Sequence, residues 1–285
     1  VFTPGTQEEI FEDCKDLVQS AVDGYNVTLF AYGQTGAGKT FTMAGVPGQL
    51  GITPRTISEL FSVIGGLQHR FDFTLTGSML ELYRQDIVDL LAKGVESQTR
   101  RKALNVRQDK SGAVVIENLT EEVVKSSADL DQVVDRGNQQ RTVAATQMNS
   151  ESSRSHLVLI VKIQSVNKET GDKMNGKILI VDLAGSERLK KSMTTAENQK
   201  ESIEINKSLT ALGDVIEALT KTQKQVPYRN HKLTQLMQDS LGGTAKTLMF
   251  VNCSPASSNL EETLMSLKYA ARAKKITNAT KTNVG

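Results

Sequence analysis

The sequence predicts an α/β fold, a central and mostly parallel β-sheet flanked by helices on both faces. Short apolar runs of strand length alternate with helical patterns along the whole of the 285 residues, the order expected when helices cover a sheet. One of these strands runs directly into a glycine-rich turn that opens a helix. No Pro-, Gly- or Ser-rich linker, internal repeat or sustained heptad divides the chain, which argues for one domain.

Thr6-x-x-Glu9 is a capping box, opening a helix with Ile10, Cys14, Leu17, Val18 and Ala21 on one face and ending at Gly24. Val27–Tyr32 is a short strand. Pro54 suits the first position of a helix carrying Ile57, Leu60, Phe61 and Ile64, stopped by Gly65-Gly66. Phe71, Phe73 and Leu75 alternate like a half-buried strand, and Met79–Tyr83 forms another. Residues 93–113, rich in Lys, Arg, Gln and Ser, make an exposed excursion. Leu157–Ile163 and Ile178–Val181 are strands. Ile205, Leu209, Leu212, Ile216 and Leu219 recur at spacings of three and four and mark a helix. Thr247–Val251 is a buried strand. Asn259 caps a last helix through Leu260, Leu264 and Leu267, with Arg272, Lys274 and Lys275 complementing its C-terminal dipole.

Composition narrows the function classes. Hydrophobic residues make up 38% and charged residues 23%, the balance of a globular protein large enough to bury a core without staples. Apolar stretches such as Leu157–Val161 are too short to span a bilayer, and the first residues lack a signal peptide's pattern; no membrane role is expected. Cys14 and Cys253 have no metal-ligand spacing and read as buried thiols in a reducing compartment. A net charge of +2 hides an asymmetry: residues 1–185 hold 19 Lys+Arg against 23 Asp+Glu, and residues 186–285 hold 15 against 9. The C-terminal third could meet an acidic partner or simply be a lopsided solvated surface.

Gly33-Gln34-Thr35-Gly36-Ala37-Gly38-Lys39-Thr40 fits the phosphate-loop pattern GxxxxGK[ST], with a strand entering and a helix leaving. Such a loop turns backbone N–H groups toward phosphate oxygens. Lys39 would reach the β- and γ-phosphates and Thr40 would ligate Mg²⁺. The apolar run Ile178–Val181 ends in Asp182, a carboxylate able to hold the Mg²⁺ hydration shell, and Asp182-Leu183-Ala184-Gly185 follows with a glycine N–H that can sense a γ-phosphate. Asn149-Ser150-Glu151-Ser152-Ser153-Arg154-Ser155-His156 is dense in hydroxyls and cations suited to a charged phosphate and its metal.

These three segments, in this order, resemble the kinesin motor domain. Phe30 through Met43 is similar to that family's phosphate loop, Asn149–His156 to its first switch and Asp182–Glu187 to its second. Tyr228-Arg229-Asn230-His231-Lys232-Leu233-Thr234 and Asp239–Gly243 resemble its track-binding region. The resemblance implies a motor domain over 1–275 with a neck-proximal tail at 276–285. It also implies a leading strand and an Arg-x-Arg-Pro-like stretch before Thr6, so the N-terminal strand region is expected to be missing. It further implies a microtubule-stimulated ATPase that binds ATP or ADP with Mg²⁺ through Gln34, Thr35, Gly36, Ala37, Gly38, Lys39, Thr40 and Phe41. Ser153 would join Thr40 and, through water, Asp182 at the metal. Asn149, Ser152, Arg154, Gly185 and Glu187 would form the catalytic set, with Arg154 and Glu187 pairing when the switches close. Lys190, Lys191, Lys207, Arg229 and Lys232 would face the microtubule, and the location would be the cytoplasm and cytoskeleton, the spindle included.

Asn206-Lys207 and Asn167-Lys168 both lack the aspartate of a guanine-reading Asn-Lys-x-Asp, which favours ATP over GTP. The chain has no Trp and no aromatic platform beside its basic residues, which disfavours nucleic acid. A nucleotide-gated tether or a depolymerising module without processive motility remains an alternative. Tyr25-Asn26 and Tyr228–Thr234 resemble C-terminal, minus-end-directed kinesins, including the plant and algal calmodulin-binding type, whereas Lys274–Asn278 also resembles a plus-end neck linker. Dimerisation or regulatory partners would act through regions outside this chain.

Overall fold

The computed structural model describes residues 1–3, 5–92, 104–109, 113–148, 152–187 and 196–284, with the backbone alone at 144–148, 152 and 196–205. In chain order its elements are α1 (Gln7–Val22), β1 (Asn26–Tyr32), α2 (Lys39–Met43), β2 (Gly45–Val46), β3 (Gln49–Leu50), α3 (Ile52–Leu67), β4 (Phe71–Tyr83), β5 (Asp86–Asp89), β6 (Val106–Gln108), β7 (Val114–Ile116), β8 (Glu122–Val124), α4 (Ser127–Met148), β9 (His156–Asn167), β10 (Lys173–Asp182), α5 (Ala196–Thr220), α6 (Lys232–Leu236), β11 (Lys246–Val251) and α7 (Leu260–Ala273).

The main sheet has the order β11-β1-β10-β9-β4-β5, with β8 also on β4. β1 runs parallel to both β10 and β11, and the other pairings are antiparallel. The parallel strands sit together at one side, and their carboxyl ends, Tyr32, Asp182 and Val251, lie in register around the glycine-rich loop. Side chains on successive strand residues point to opposite faces, and the core divides accordingly. Val27, Leu29, Ile178 and Ile180 pack with Cys14 and Val18 of α1, Ile57 and Leu60 of α3 and Leu130 and Val133 of α4. Phe30, Leu179 and Val181 pack on the other face with Leu212 and Ile216 of α5, Leu233 of α6 and Tyr269 of α7. Every residue of β1 is buried because helices cover both of its sides.

Several local expectations hold. The Thr6 hydroxyl accepts from Glu9 N at 3.2 Å while Thr6 N donates to the Glu9 carboxylate at 2.8 Å, completing the capping box. Others change. α3 starts at Ile52 rather than Pro54 and continues through Gly65-Gly66. Proline is tolerated in the first turn because those N–H groups have no helical partner. Each glycine costs about 1 kcal/mol of helix propensity, and burial of Ile57, Leu60 and Ile64 outweighs this. The two strands expected at 71–83 are one continuous strand, held by β9 along one edge and by β8 and β5 along the other. β11 is half-buried rather than buried, because it is the outer strand of the sheet among the described residues. Asn259 does not cap α7; its side chain donates to Ser254 Oγ at 3.0 Å instead. Within the expected excursion at 93–113, β6 pairs with β7 just beyond it as a two-stranded ribbon. The sequence reading did not anticipate α4, β5 or β8.

The C-terminal tail is laid against the end of the sheet away from the loop. Asn278 Nδ2 donates to Ser240 O and Ala245 O, each at 2.8 Å, and Asn283 Nδ2 donates to Asn175 O at 3.0 Å. No helix among the described residues is long and apolar enough to cross a membrane.

Candidate functional site

β1 delivers the chain to Gly33, where the fit is tight. A Cβ there would lie 2.2 Å from the Asn252 carbonyl oxygen, so only glycine lets the loop pass beneath the end of β11. Gly38, at φ 96°, turns the chain into the short helix α2, a left-handed conformation that other residues adopt at a cost. Lys39 is 8% exposed and folds back over the loop, its Nζ donating to Gln34 O at 2.9 Å. Burial pushes the Lys39 amine below its ordinary range, while the carboxylates of Asp182 and Glu187 act in the opposite direction. A buried cation held in this way has an unmet demand for anionic oxygen.

β10 carries Asp182 to the loop. The Thr40 hydroxyl donates to Asp182 Oδ2 at 2.6 Å, and Asp182 Oδ1 is buried without a hydrogen-bond partner. Burial raises the Asp182 carboxyl above its usual range, opposed by the Thr40 bond and the charges of Lys39 and Arg141. An orphaned carboxylate oxygen beside a threonine hydroxyl fits a hydrated divalent cation. No group of three or more His, Cys, Asp or Glu among the described residues could hold a metal alone. That donor set suits Mg²⁺, which takes few protein ligands and fills its octahedron with water and phosphate oxygens.

The segment after Asp182 is bonded to the loop and to the turn at Ser152–Arg154. Gly185 N donates to Ser153 O at 2.9 Å and Ser186 N to Gly33 O at 3.1 Å. Both carboxylate oxygens of Glu187 are engaged by Thr35, from its N–H at 2.7 Å and from its hydroxyl at 2.6 Å. Glu187 thus sits on a backbone donor of the phosphate loop itself. Phe41 stands 43% exposed on α2, and its carbonyl accepts from Gln7 Nε2 at 2.7 Å.

Residues 1–276 match the family model described as the kinesin motor domain. The chain belongs to the kinesin family. It is 54% identical over 279 residues to kinesin-like protein KIN-14I of Oryza sativa subsp. japonica, covering 98% of this chain and 22% of that protein. It is 53% identical over 273 residues to KIN-14E of Arabidopsis thaliana, covering 96% and 21%. The chain therefore spans about a fifth of the length of these relatives. Among solved structures, a fast kinesin described for its ATPase mechanism and interactions with microtubules matches with a TM-score of 0.90 at 42% identity, covering 98% of this chain and 79% of that one. The motor domain of a Kar3-like kinesin from Ashbya gossypii gives 0.79 at 39% identity, covering 95% and 82%.

Within this kinesin fold the sequence-derived site residues fall into three groups. Gln34 through Phe41, Ser153, Asp182, Gly185 and Glu187 converge at the carboxyl ends of β1 and β10, and Ser152 and Arg154 lie on the adjoining 3₁₀ turn. Lys207 is exposed on α5, Arg229 on the 3₁₀ turn Tyr228–Asn230, and Lys232 half-buried at the start of α6. α5 packs against both that turn and α6, so these elements form one surface. Asn149, Lys190 and Lys191 lie outside the described residues.

Two buried polar clusters beside the site give Ser155 and His156, expected only as part of the segment facing the phosphate, partners on other elements. Arg141 on α4 donates from Nε to Glu81 Oε1 at 3.0 Å and from its terminal nitrogen to Ser155 Oγ at 3.0 Å, and Ser155 donates to the same Glu81 oxygen. His156, 2% exposed, accepts from Ala184 N through Nδ1 at 3.0 Å and places Nε2 2.8 Å from Ser208 Oγ on α5. Burial, then the neighbouring His231, Arg141 and Lys39, lower the His156 pKa to about 3. The dense run of polar residues at 149–156 marked Ser155 and His156, but nothing in the sequence signalled Glu81, Arg141 or Ser208 as their partners.

Proposed function

We propose that this chain is the motor part of a microtubule-stimulated ATP hydrolase, in which occupancy of the phosphate loop is converted into changes of microtubule affinity and movement. The observation that supports it most is the bond between Glu187 and Thr35. Phosphate oxygens and Glu187 compete for one backbone donor, so filling the loop displaces the segment that leads to α5. Bound ATP with Mg²⁺ supplies the phosphoryl group under attack and a divalent charge offsetting its oxygens.

The chain's own residues supply position and charge. Lys39 exchanges Gln34 O for phosphate oxygens. Thr40 and Ser153 would ligate the metal, and Asp182, whose Oδ1 has no partner, would hold it through water. Glu187, released from Thr35, pairs with Arg154, and together with Asn149 they orient the attacking water, whose proton Glu187 accepts. Gly185 N would leave Ser153 O for the γ-phosphate, which Ser152 would also contact, and Phe41 would offer its ring to the base. Lys207, Arg229 and Lys232, with Lys190 and Lys191, give an acidic polymer a cationic face. The setting is the microtubule cytoskeleton, in the cytoplasm and on the spindle.

ATP turnover measured with and without microtubules tests this. Lys39→Ala is expected to weaken fluorescent-nucleotide binding about 100-fold, through loss of charge-assisted hydrogen bonds. Glu187→Ala should spare binding and slow turnover by about 10²–10⁴. Stimulated turnover persisting in either variant would contradict the assignment.

A further inference from the structure

His156 lies between the two parts of the molecule that the proposed cycle must connect. Ala184, two residues beyond the candidate metal carboxylate Asp182, donates its N–H to Nδ1. A nitrogen that accepts carries no proton, so the neutral ring holds its hydrogen on Nε2. Nε2–H therefore donates to Ser208 Oγ on α5. Ala184, His156 and Ser208 are 1%, 2% and 1% exposed, so water does not compete for these bonds. The ring is rigid, and its two bonded nitrogens face different elements. A shift of the Ala184 turn must either carry Ser208 along or break a buried hydrogen bond.

We propose that His156 is a positioning residue that couples the turn after Asp182 to α5 through Ser208, making displacement of one the displacement of the other. This rests on the ATPase reading above and adds the route by which the nucleotide site reaches the helix that packs on α6 and α7. His156 touches no reacting atom. Its effect is on how strongly the track side responds, a coupling between sites that is commonly worth 5–150-fold.

The test separates the two bonds in the 285-residue chain. His156→Asn keeps an amide oxygen near the Nδ1 position, so Ala184 retains an acceptor while the Ser208 bond is lost. Ser208→Ala removes the same bond from the other side. Both are expected to leave mant-ADP affinity within about twofold and to lower the ratio of microtubule-stimulated to basal turnover about tenfold. The double variant should be no worse than either single one. A reduced fraction of nucleotide-competent protein with a wild-type ratio would make His156 merely structural and overturn the proposal, as would a wild-type ratio in Ser208→Ala. Should the unmodified chain itself show no stimulated turnover, the ATPase reading fails, and hydrogen exchange of residues 206–212 on adding Mg-nucleotide decides the coupling. A change in the unmodified chain that is absent from His156→Asn supports it, and any other pattern overturns it.

Discussion

Asp182 carries a cost that its position explains. Its carboxyl is raised by burial, and one oxygen makes no hydrogen bond. A carboxylate whose folded pKa lies above its unfolded value stabilises the fold below the unfolded pKa and loses that contribution as pH rises through the folded one. At neutral pH without a cation Asp182 is therefore a liability. Asp182→Asn keeps an acceptor for Thr40 and removes the charge. Its melting temperature in EDTA should rise by about 2–4 °C, while Mg²⁺-dependent nucleotide binding falls; a lower melting temperature would place the cost elsewhere. Lys39, Thr40 and Asp182 were legible in the sequence because phosphate chemistry needs its donors close together along the chain or at a strand's end. The bonds of His156 and Glu81 were not, since their partners come from α4, α5 and the turn after β10, and no local pattern announces such encounters.

α4 shows why some elements escaped notice. Its sequence, SADLDQVVDRGNQQRTVAATQM, is polar over most of its length, and among its described side chains Leu130 and Val133 are buried apolar anchors, with Val134 packed beside them. Arg141 fixes it by polar contacts instead, to Glu81 of β4 and to Ser155 just before β9. That anchorage sits just before the segment assigned to the phosphate and its metal. Glu81→Ala removes a carboxylate partner of a guanidinium only 12% exposed and should cost about 3 kcal/mol, lowering the melting temperature by several degrees. Glu81→Gln keeps an acceptor and should cost less. Equal melting curves for Glu81→Ala and the unmodified chain would show that the Glu81 contact does not hold α4. α3 gives the complementary lesson, since Pro54 and Gly65-Gly66 predicted its ends by local rules that tertiary burial overrode.

Across the whole molecule, charge and topology divide the labour. The basic excess of residues 186–285 includes Lys207, Arg229 and Lys232 on the surface made by α5, the Tyr228–Asn230 turn and α6. Reversing Arg229 and Lys232 to Glu should weaken microtubule cosedimentation about tenfold at low salt, with a smaller difference as ionic strength rises. Unchanged binding across the salt series would move the track surface elsewhere. The α/β class was readable from alternating elements, but the division of the sheet into parallel and antiparallel parts was not, because pairing partners far apart leave no periodic trace. That division also sets an order of assembly. β9 meets β10 across a short connection, Val166 opposite Lys173, whereas β1 must bring Asn26 to Lys177 and Val27 to Lys246. Loop-closure entropy delays such distant contacts, and the phosphate loop hangs from the strand that depends on them most. In refolding, recovery of nucleotide binding should trail recovery of the backbone circular dichroism signal, and simultaneous recovery would argue against this order. The capacity to recognise a nucleotide is then expected to arrive late, after most of the backbone it depends on has taken shape.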